Sequence, residues 1–280
     1  MIIDGKKIAE EVLAELKELP KPDKFLSAVL VGEDAASVSF LKQKEKVAKE
    51  LGVNLRLYKF PADATQDALR GEVLKIAEHK TCGGVLVQLP LPAGINAQYV
   101  LNAIPREKDV DVLGERALGA FYAGRNPVLP PAVGVIQRIL TTYDLQLTTL
   151  KAVVIGRGAL VGKPIAMWLM GKVVELTVFN STTQNLRGKL KDADLIVSGV
   201  GKAGLFGAAD VKENALVIDF GYDKKQMADG KERMAGDFDS SDIGNWKLKI
   251  ENLSYTPTPG GTGPILVAQL FENFYALNAK

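Results

Sequence analysis

Short runs of aliphatic and β-branched residues alternate along this chain with longer stretches whose apolar positions recur at helical spacing. Lys24–Val31 ("KFLSAVLV") predicts a buried strand, and Ala36–Leu51 an amphipathic helix closed by Gly52. Val53–Lys59 predicts a second strand, Thr65–Lys80 a second helix and Gly84–Val87 a third strand. That order predicts a parallel sheet covered by helices. A second series follows: strand Lys151–Ile155, helix Gly162–Met170, strand Glu175–Phe179, helix Gln184–Lys191, and strands Leu195–Val200 and Ala215–Phe220. Between the two series, residues 124–134 ("GRNPVLPPAVG") are rich in Gly and Pro and mark a domain boundary. The tail predicts a helix over Pro264–Leu277. The fold class is therefore α/β with two domains. Residues 1–125 form the first and 126–263 a Rossmann-like second, with the tail 264–280 returning to the first. A cleft between them is the expected site.

Composition narrows the function classes. Of 280 residues, 47% are hydrophobic and 24% charged, as in ordinary globular proteins. The 35 basic and 33 acidic residues nearly cancel, which gives no case for bulk nucleic-acid binding. No apolar run is long enough to span a bilayer, and the start reads as a folded element rather than a signal peptide. A single cysteine, Cys82, excludes an intrachain disulfide and makes a reducing, cytoplasmic setting the default. A single histidine, His79, makes a His-pair metal site or a His-centred triad improbable, so no metal is expected. His79 reads as a solvated residue at a helix end and Cys82 as a small apolar filler.

Three stretches carry candidate chemistry. The strand "VLVQLPLP" holds Gln88 at its end. A buried amide without partners costs about 1–3 kcal/mol, so Gln88 needs a partner from the chain or a ligand. On the preceding helix, Ser37, Phe40, Leu41 and Lys44 share one face, which lies near the strand ends where parallel sheets collect ligands. Spacing alone leaves a solvated basic face open as the alternative for Lys44, and ordinary core for Phe40. In "KDVD", Asp109 and Asp111 stand two apart, and one is expected to meet solvent and the other the cleft. A carboxylate offers two acceptors that match adjacent N–H donors on a pterin- or guanine-like ring. After the strand "KAVVI", Gly156, Gly158 and Gly162 lead into a helix, a setting suited to a pyrophosphate. An ordinary tight turn is the alternative. The next strand ends in Asn180-Ser181-Thr182-Thr183 with no carboxylate for a ribose 2′-hydroxyl, while Arg157 sits in the glycine turn. A cation with hydroxyls and no acid suits a 2′-phosphate, and hence NADP rather than NAD; a solvated loop charge is the alternative for Arg157.

Taken together, "VGEDAASVSFLKQKEKVAKELGV", "GGVLVQLPLP", "IPREKDVDVLG", "GRGALVGKP", "NSTT", "VIDFGY" and "YTPTPGGTGPI" resemble the bifunctional methylenetetrahydrofolate dehydrogenase/methenyltetrahydrofolate cyclohydrolase family over essentially the whole chain. The resemblance implies NADP-linked oxidation of 5,10-methylenetetrahydrofolate, then hydrolysis to 10-formyltetrahydrofolate, in a homodimer without a metal. It implies that Lys44 handles protons, that Gln88 accepts a hydrogen bond from the Lys44 ammonium, and that Asp111 grips the pterin. Phe40, Pro259, Gly260 and Gly261 fall at the folate. Gly156, Arg157, Gly158, Gly162, Ser181 and Tyr222 fall at the cofactor.

The chain departs from that pattern at several positions. Phe40 stands in a tyrosine place, Val112 in a glycine place, Gly158 in a serine place and Asn180 in a histidine place. A β-branched residue replaces a positive-φ glycine poorly, so the loop carrying Asp111 is expected to take a different course. The linker also reads "VLPPAVG" rather than a Pro-x-Thr-Pro-like pattern. Two alternatives follow: one of the two activities alone, or a non-catalytic folate- or nucleotide-binding protein.

Overall fold

The computed structural model describes residues 1–226, 232–244 and 252–279. The chain divides into two compact units, Glu10–Pro131 with Val267–Lys280, and Met1–Ala9 with Ala132–Leu266. Its helices are α1 (Gly5–Lys17), α2 (Ala35–Leu51), α3 (Gln66–Glu78), α4 (Ala97–Leu101), α5 (Glu115–Tyr122), α6 (Pro131–Thr142), α7 (Gly162–Leu169), α8 (Leu186–Lys189) and α9 (Thr262–Leu277). None of the described helices is long and apolar enough to cross a membrane.

In the first unit, β1 (Phe25–Val31), β2 (Leu55–Phe60) and β3 (Cys82–Val87) form a parallel sheet in the order β2-β1-β3. Every residue of β1 and β3 is buried, which suits the unbroken apolar runs of strands covered on both faces. The chain steps from β1 to β2 on one side and returns to β3 on the other. That reversal makes a topological switch point at the carboxyl ends of β1 and β3, the usual place for a ligand. Asp34 starts α2 by accepting the Ser37 N–H at 2.8 Å, and Gly52 ends it at φ +65°. Thr65 caps α3 by accepting from Ala68 N–H. His79 terminates α3, exposed, with its ring against Phe25, and Cys82 is fully buried. On α9, Asn273 donates from Nδ2 to Val110 O and Leu129 O, both at 2.8 Å. A Cβ on Gly84 would lie 2.9 Å from the Phe274 ring, so the glycine lets α9 approach β3.

In the second unit, β4 (Lys151–Ile155), β5 (Glu175–Phe179), β6 (Leu195–Ser198) and β8 (Leu216–Asp219) join β12 (Ser254–Tyr255) in a parallel sheet ordered β12-β8-β6-β4-β5. Its switch point lies at the carboxyl end of β4, where Gly156 begins. Short β7 (Phe206–Gly207) pairs with β11 (Phe238–Asp239), and β9 (Asp223–Gln226) with β10 (Glu232–Ala235).

Some expected bounds move. The stretch 124–134 contains the start of α6, because Pro131 occupies a first helical position, where its missing N–H costs nothing. The helix expected over Gln184–Lys191 is a single turn, α8, with Gly188 inside it. The first nine residues group with the second unit: Ile3 N–H donates to Tyr255 O at 2.8 Å and Tyr255 N–H to Met1 O at 3.0 Å.

Candidate active site

Lys44 lies on the inward face of α2 with Ser37 and Leu41, and only 4% of it is exposed. Its Nζ donates to Gln88 Oε1 at 3.0 Å. Gln88 follows β3 directly, and its Nε2 donates to Leu89 O at 3.1 Å. The backbone N–H of Gln88 donates to Val29 O at 2.8 Å, which extends the β1–β3 ladder by one rung. The amide in the apolar run therefore has partners at both ends. The Phe40 ring centroid lies 5.1 Å from Lys44 Nζ, a cation–π contact that keeps the ammonium oriented without a hydroxyl. Burial pulls the Lys44 pKa down, and the Asp111 carboxylate pulls against it. Burial pushes the Asp111 carboxyl up, and the Lys44 ammonium offsets this. A buried lysine with a lowered pKa reaches its neutral amine nearer working pH, which a proton-transferring group requires.

The two acids do not divide as expected. Asp109 is 1% exposed rather than solvated, and Asp111 is partly exposed. Asp109 follows a 3₁₀ turn over Arg106–Lys108, and its backbone bridges to Val85 of β3. Its Oδ2 accepts N–H groups from Leu113 at 3.0 Å and Gly114 at 2.8 Å. Its Oδ1 is buried without a hydrogen-bond partner. Burial raises the Asp109 pKa to about 6 against those backbone bonds, with the Asp111 charge pushing the same way. Val112 is fully buried at φ +55°. The loop therefore keeps the left-handed turn of a glycine position despite the side chain.

In the second unit, Gly156 has φ +104°, and a Cβ on Gly162 would lie 2.1 Å from Gly156 O. Backbone packs on backbone there, as a dinucleotide turn needs. Gly158 has no atom within 4 Å of a Cβ position, and Arg157 and Gly158 are exposed. After β5, Asn180 Oδ1 accepts from Thr182 N–H at 2.9 Å and Thr182 Oγ1 at 2.7 Å, while Thr183 Oγ1 accepts from Asn180 N–H at 3.0 Å. This closed turn leaves Ser181 exposed, and Tyr222 is 55% exposed. Gly260 has φ +98°, and Gly261 N–H donates to Pro257 O at 2.8 Å, which folds Pro259–Gly261 into a tight loop.

Sequence reasoning missed two buried acids beside the strand ends of the second unit. Asp237 accepts from Ser198 Oγ at 2.6 Å, Val200 N–H at 2.8 Å and Lys202 N–H at 2.7 Å. Asp219 accepts from Gly221 N–H at 2.8 Å and Phe238 N–H at 2.9 Å. Burial, with the Asp237 charge, raises the Asp219 pKa to about 7 against its backbone bonds. The available signal was an acid at the carboxyl end of a wholly apolar run, "LVID".

Two family models match, the tetrahydrofolate dehydrogenase/cyclohydrolase catalytic domain over residues 3–111 and the NAD(P)-binding domain of the same family over residues 130–280. The chain belongs to the tetrahydrofolate dehydrogenase/cyclohydrolase family. It is 36% identical to the bifunctional protein FolD of Bdellovibrio bacteriovorus over 98% of this chain and 94% of that one. The crystal structure of the bifunctional enzyme FolD from Campylobacter jejuni matches with a TM-score of 0.89 at 30% identity, covering 99% of this chain and 98% of that one. The FolD enzyme of Trypanosoma brucei, complexed with NADP cofactor and an inhibitor, matches with a TM-score of 0.87 at 28% identity over 99% and 96%. Phe40 lies beside the lysine and Val112 follows the second acid, two departures from the pattern that the sequence resembles. The structure accommodates both: the ring stays on the ammonium, and the turn stays left-handed.

Proposed function

We propose that this protein oxidises 5,10-methylenetetrahydrofolate to 5,10-methenyltetrahydrofolate with NADP⁺, then adds water to give 10-formyltetrahydrofolate and a proton. When bound, NADP⁺ takes the hydride lost from the one-carbon bridge and becomes NADPH. Lys44 handles the proton of the attacking water, and Gln88 fixes the position of its Nζ. The Phe40 ring packs beside the same ammonium, and the Asp111 carboxylate accepts N–H groups of the pterin. Pro259, Gly260 and Gly261 line the folate. Gly156 and Gly162 let the backbone approach the pyrophosphate, with Gly158 and Tyr222 beside the cofactor. Arg157 and Ser181 hold the 2′-phosphate, a role supported by the lack of a carboxylate after β5. No step calls on a metal. The working form is a cytoplasmic homodimer. The observation that carries the reading is the 3.0 Å bond between buried Lys44 and Gln88, with Asp111 acting on the same ammonium.

The test mixes purified protein with 5,10-methylenetetrahydrofolate and NADP⁺, then with NAD⁺, and follows reduced cofactor and methenyl product separately. NADPH formation without methenyl build-up is the expected result. Methenyl accumulation at its uncatalysed hydrolysis rate would leave a dehydrogenase alone and place the loss at Phe40. No reduced cofactor would sink the dehydrogenase reading, and methenyltetrahydrofolate supplied directly would then separate a lone cyclohydrolase from a binding protein.

A further inference from the structure

We propose that Asp109 is a positioning residue for Asp111: its buried carboxylate pins the left-handed turn at Val112, and that turn sets the position of Asp111. The proposal rests on the reading of Asp111 as the acid that grips the pterin. A β-branched residue at φ +55° does not hold that conformation on its own account. Something must fasten the backbone on either side of it.

Asp109 Oδ2 does so from the carboxyl side, taking the N–H groups of Leu113 and Gly114 at 3.0 and 2.8 Å. Bonds to a carboxylate are about twice as strong as neutral ones. Gly114 permits this approach, since a Cβ there would lie 3.2 Å from the same oxygen. On the amino side, Val110 O is held by Asn273 Nδ2 at 2.8 Å, and Asp109 itself bridges to Val85 of β3. Asp111 thus lies in a short loop fastened on either side of it. The Asp109 carboxylate is buried with one oxygen unpartnered, an arrangement poor for stability and well suited to fixing geometry. Of the groups that act on it, Asp111 is the charged one.

The experiment compares Asp109→Asn, Asp111→Asn and the double variant Asp109→Asn/Val112→Gly with the unaltered protein, measuring KM for methylenetetrahydrofolate, KM for NADP⁺, and kcat. Asn keeps the size and one acceptor, so the fold should survive. Loss of a charge-assisted bond predicts a rise of about tenfold in folate KM for Asp109→Asn, with KM for NADP⁺ unchanged. Adding Val112→Gly supplies a residue that takes the turn freely, and should bring folate KM back to within about threefold of the unaltered protein. Normal folate kinetics in Asp109→Asn, beside impaired Asp111→Asn, would overturn the proposal alone. A parallel rise of both KM values, or no recovery in the double variant, would show a general structural role and also overturn it. Normal kinetics in Asp111→Asn would remove the role of Asp111 itself, and the proposal with it.

Discussion

Lys44 sits almost wholly out of water, with the Gln88 oxygen 3.0 Å and the Phe40 ring 5.1 Å from its nitrogen and the Asp111 charge acting on it as well. Removing the first leaves a soft cation–π contact and that charge to orient a flexible side chain. Misplacement of a reacting group by about 1 Å can cost about 100-fold in rate, so Gln88→Ala should lower cyclohydrolase kcat by roughly that factor. KM for NADP⁺ should not move; a separate assay of methenyltetrahydrofolate hydrolysis checks the first and dehydrogenase kinetics the second. Val112 gives a second residue-level expectation, about stability. A left-handed non-glycine residue costs roughly 1–2 kcal/mol, whereas burying a valine side chain contributes about 1.5–3 kcal/mol. Val112→Ala gives up much of the burial and keeps the strain, while Val112→Gly gives up slightly more and releases it. Val112→Gly should therefore be at least as stable as Val112→Ala, the reverse of the order at ordinary helix or strand positions. Urea denaturation of the two variants checks the order.

Elements meet in the second unit through glycines and buried acids. The turn from β4 to α7 closes because Gly162 has no Cβ to strike Gly156 O, yet the neighbouring Gly158 faces open space. Gly158→Ser should leave the fold intact and lower KM for NADP⁺ by a few fold, since the new hydroxyl stands in the exposed turn with Arg157; steady-state kinetics with varied NADP⁺ checks it. Asp219 sets a pH dependence for the same unit. Its pKa rises from 3.8 to about 7 on folding. Between those values the folded protein keeps a proton that the unfolded chain has lost, so this group's contribution to stability falls as pH rises through that window. At about 1.4 kcal/mol for each pH unit, the whole effect is at most about 4 kcal/mol. Asp219→Asn lacks the titration. Its deficit against the unaltered protein should be largest near about pH 5 and should shrink toward about pH 8, as read by thermal melts across that range.

The whole molecule joins two α/β units, each with its chain reversal beside its first strand. A ligand that binds only the folded second unit stabilises it by mass action, by about 2.7 kcal/mol at 100 times its dissociation constant. NADP⁺ should therefore raise Tm with concentration. If Arg157 and Ser181 hold the 2′-phosphate as proposed, NAD⁺ should raise it less at equal concentration, because it lacks that charge-assisted contact. The gap between the two should narrow with added salt, which screens an exposed arginine. Equal shifts with both nucleotides would remove Arg157 and Ser181 from the 2′-phosphate role.

Periodicity was enough for most of the alternating strands and helices, because strands buried on both faces leave unbroken apolar runs and amphipathic helices leave a repeating stripe; the helix expected over Gln184–Lys191 is only the single turn α8. The Lys44 face of α2 was legible for the same reason, as were the glycine turn and the missing acid after β5. Other features came only from the folded chain. The short helices α4 and α5 carry too few turns to show a period, and α6 begins inside a proline-rich stretch that reads as linker. The burial of Asp109 was not legible, because spacing does not tell which backbone N–H groups will lie around a side chain. The left-handed turn at Val112 runs against local preference, and the bonds that flank it come from Asp109 and from Asn273, a residue far along the chain. Asp219 and Asp237 likewise acquire their roles from strand ends and loops that come together in the fold. Local pattern fixed the elements; the polar groups that must be satisfied once those elements pack decided which acids were buried and what they hold.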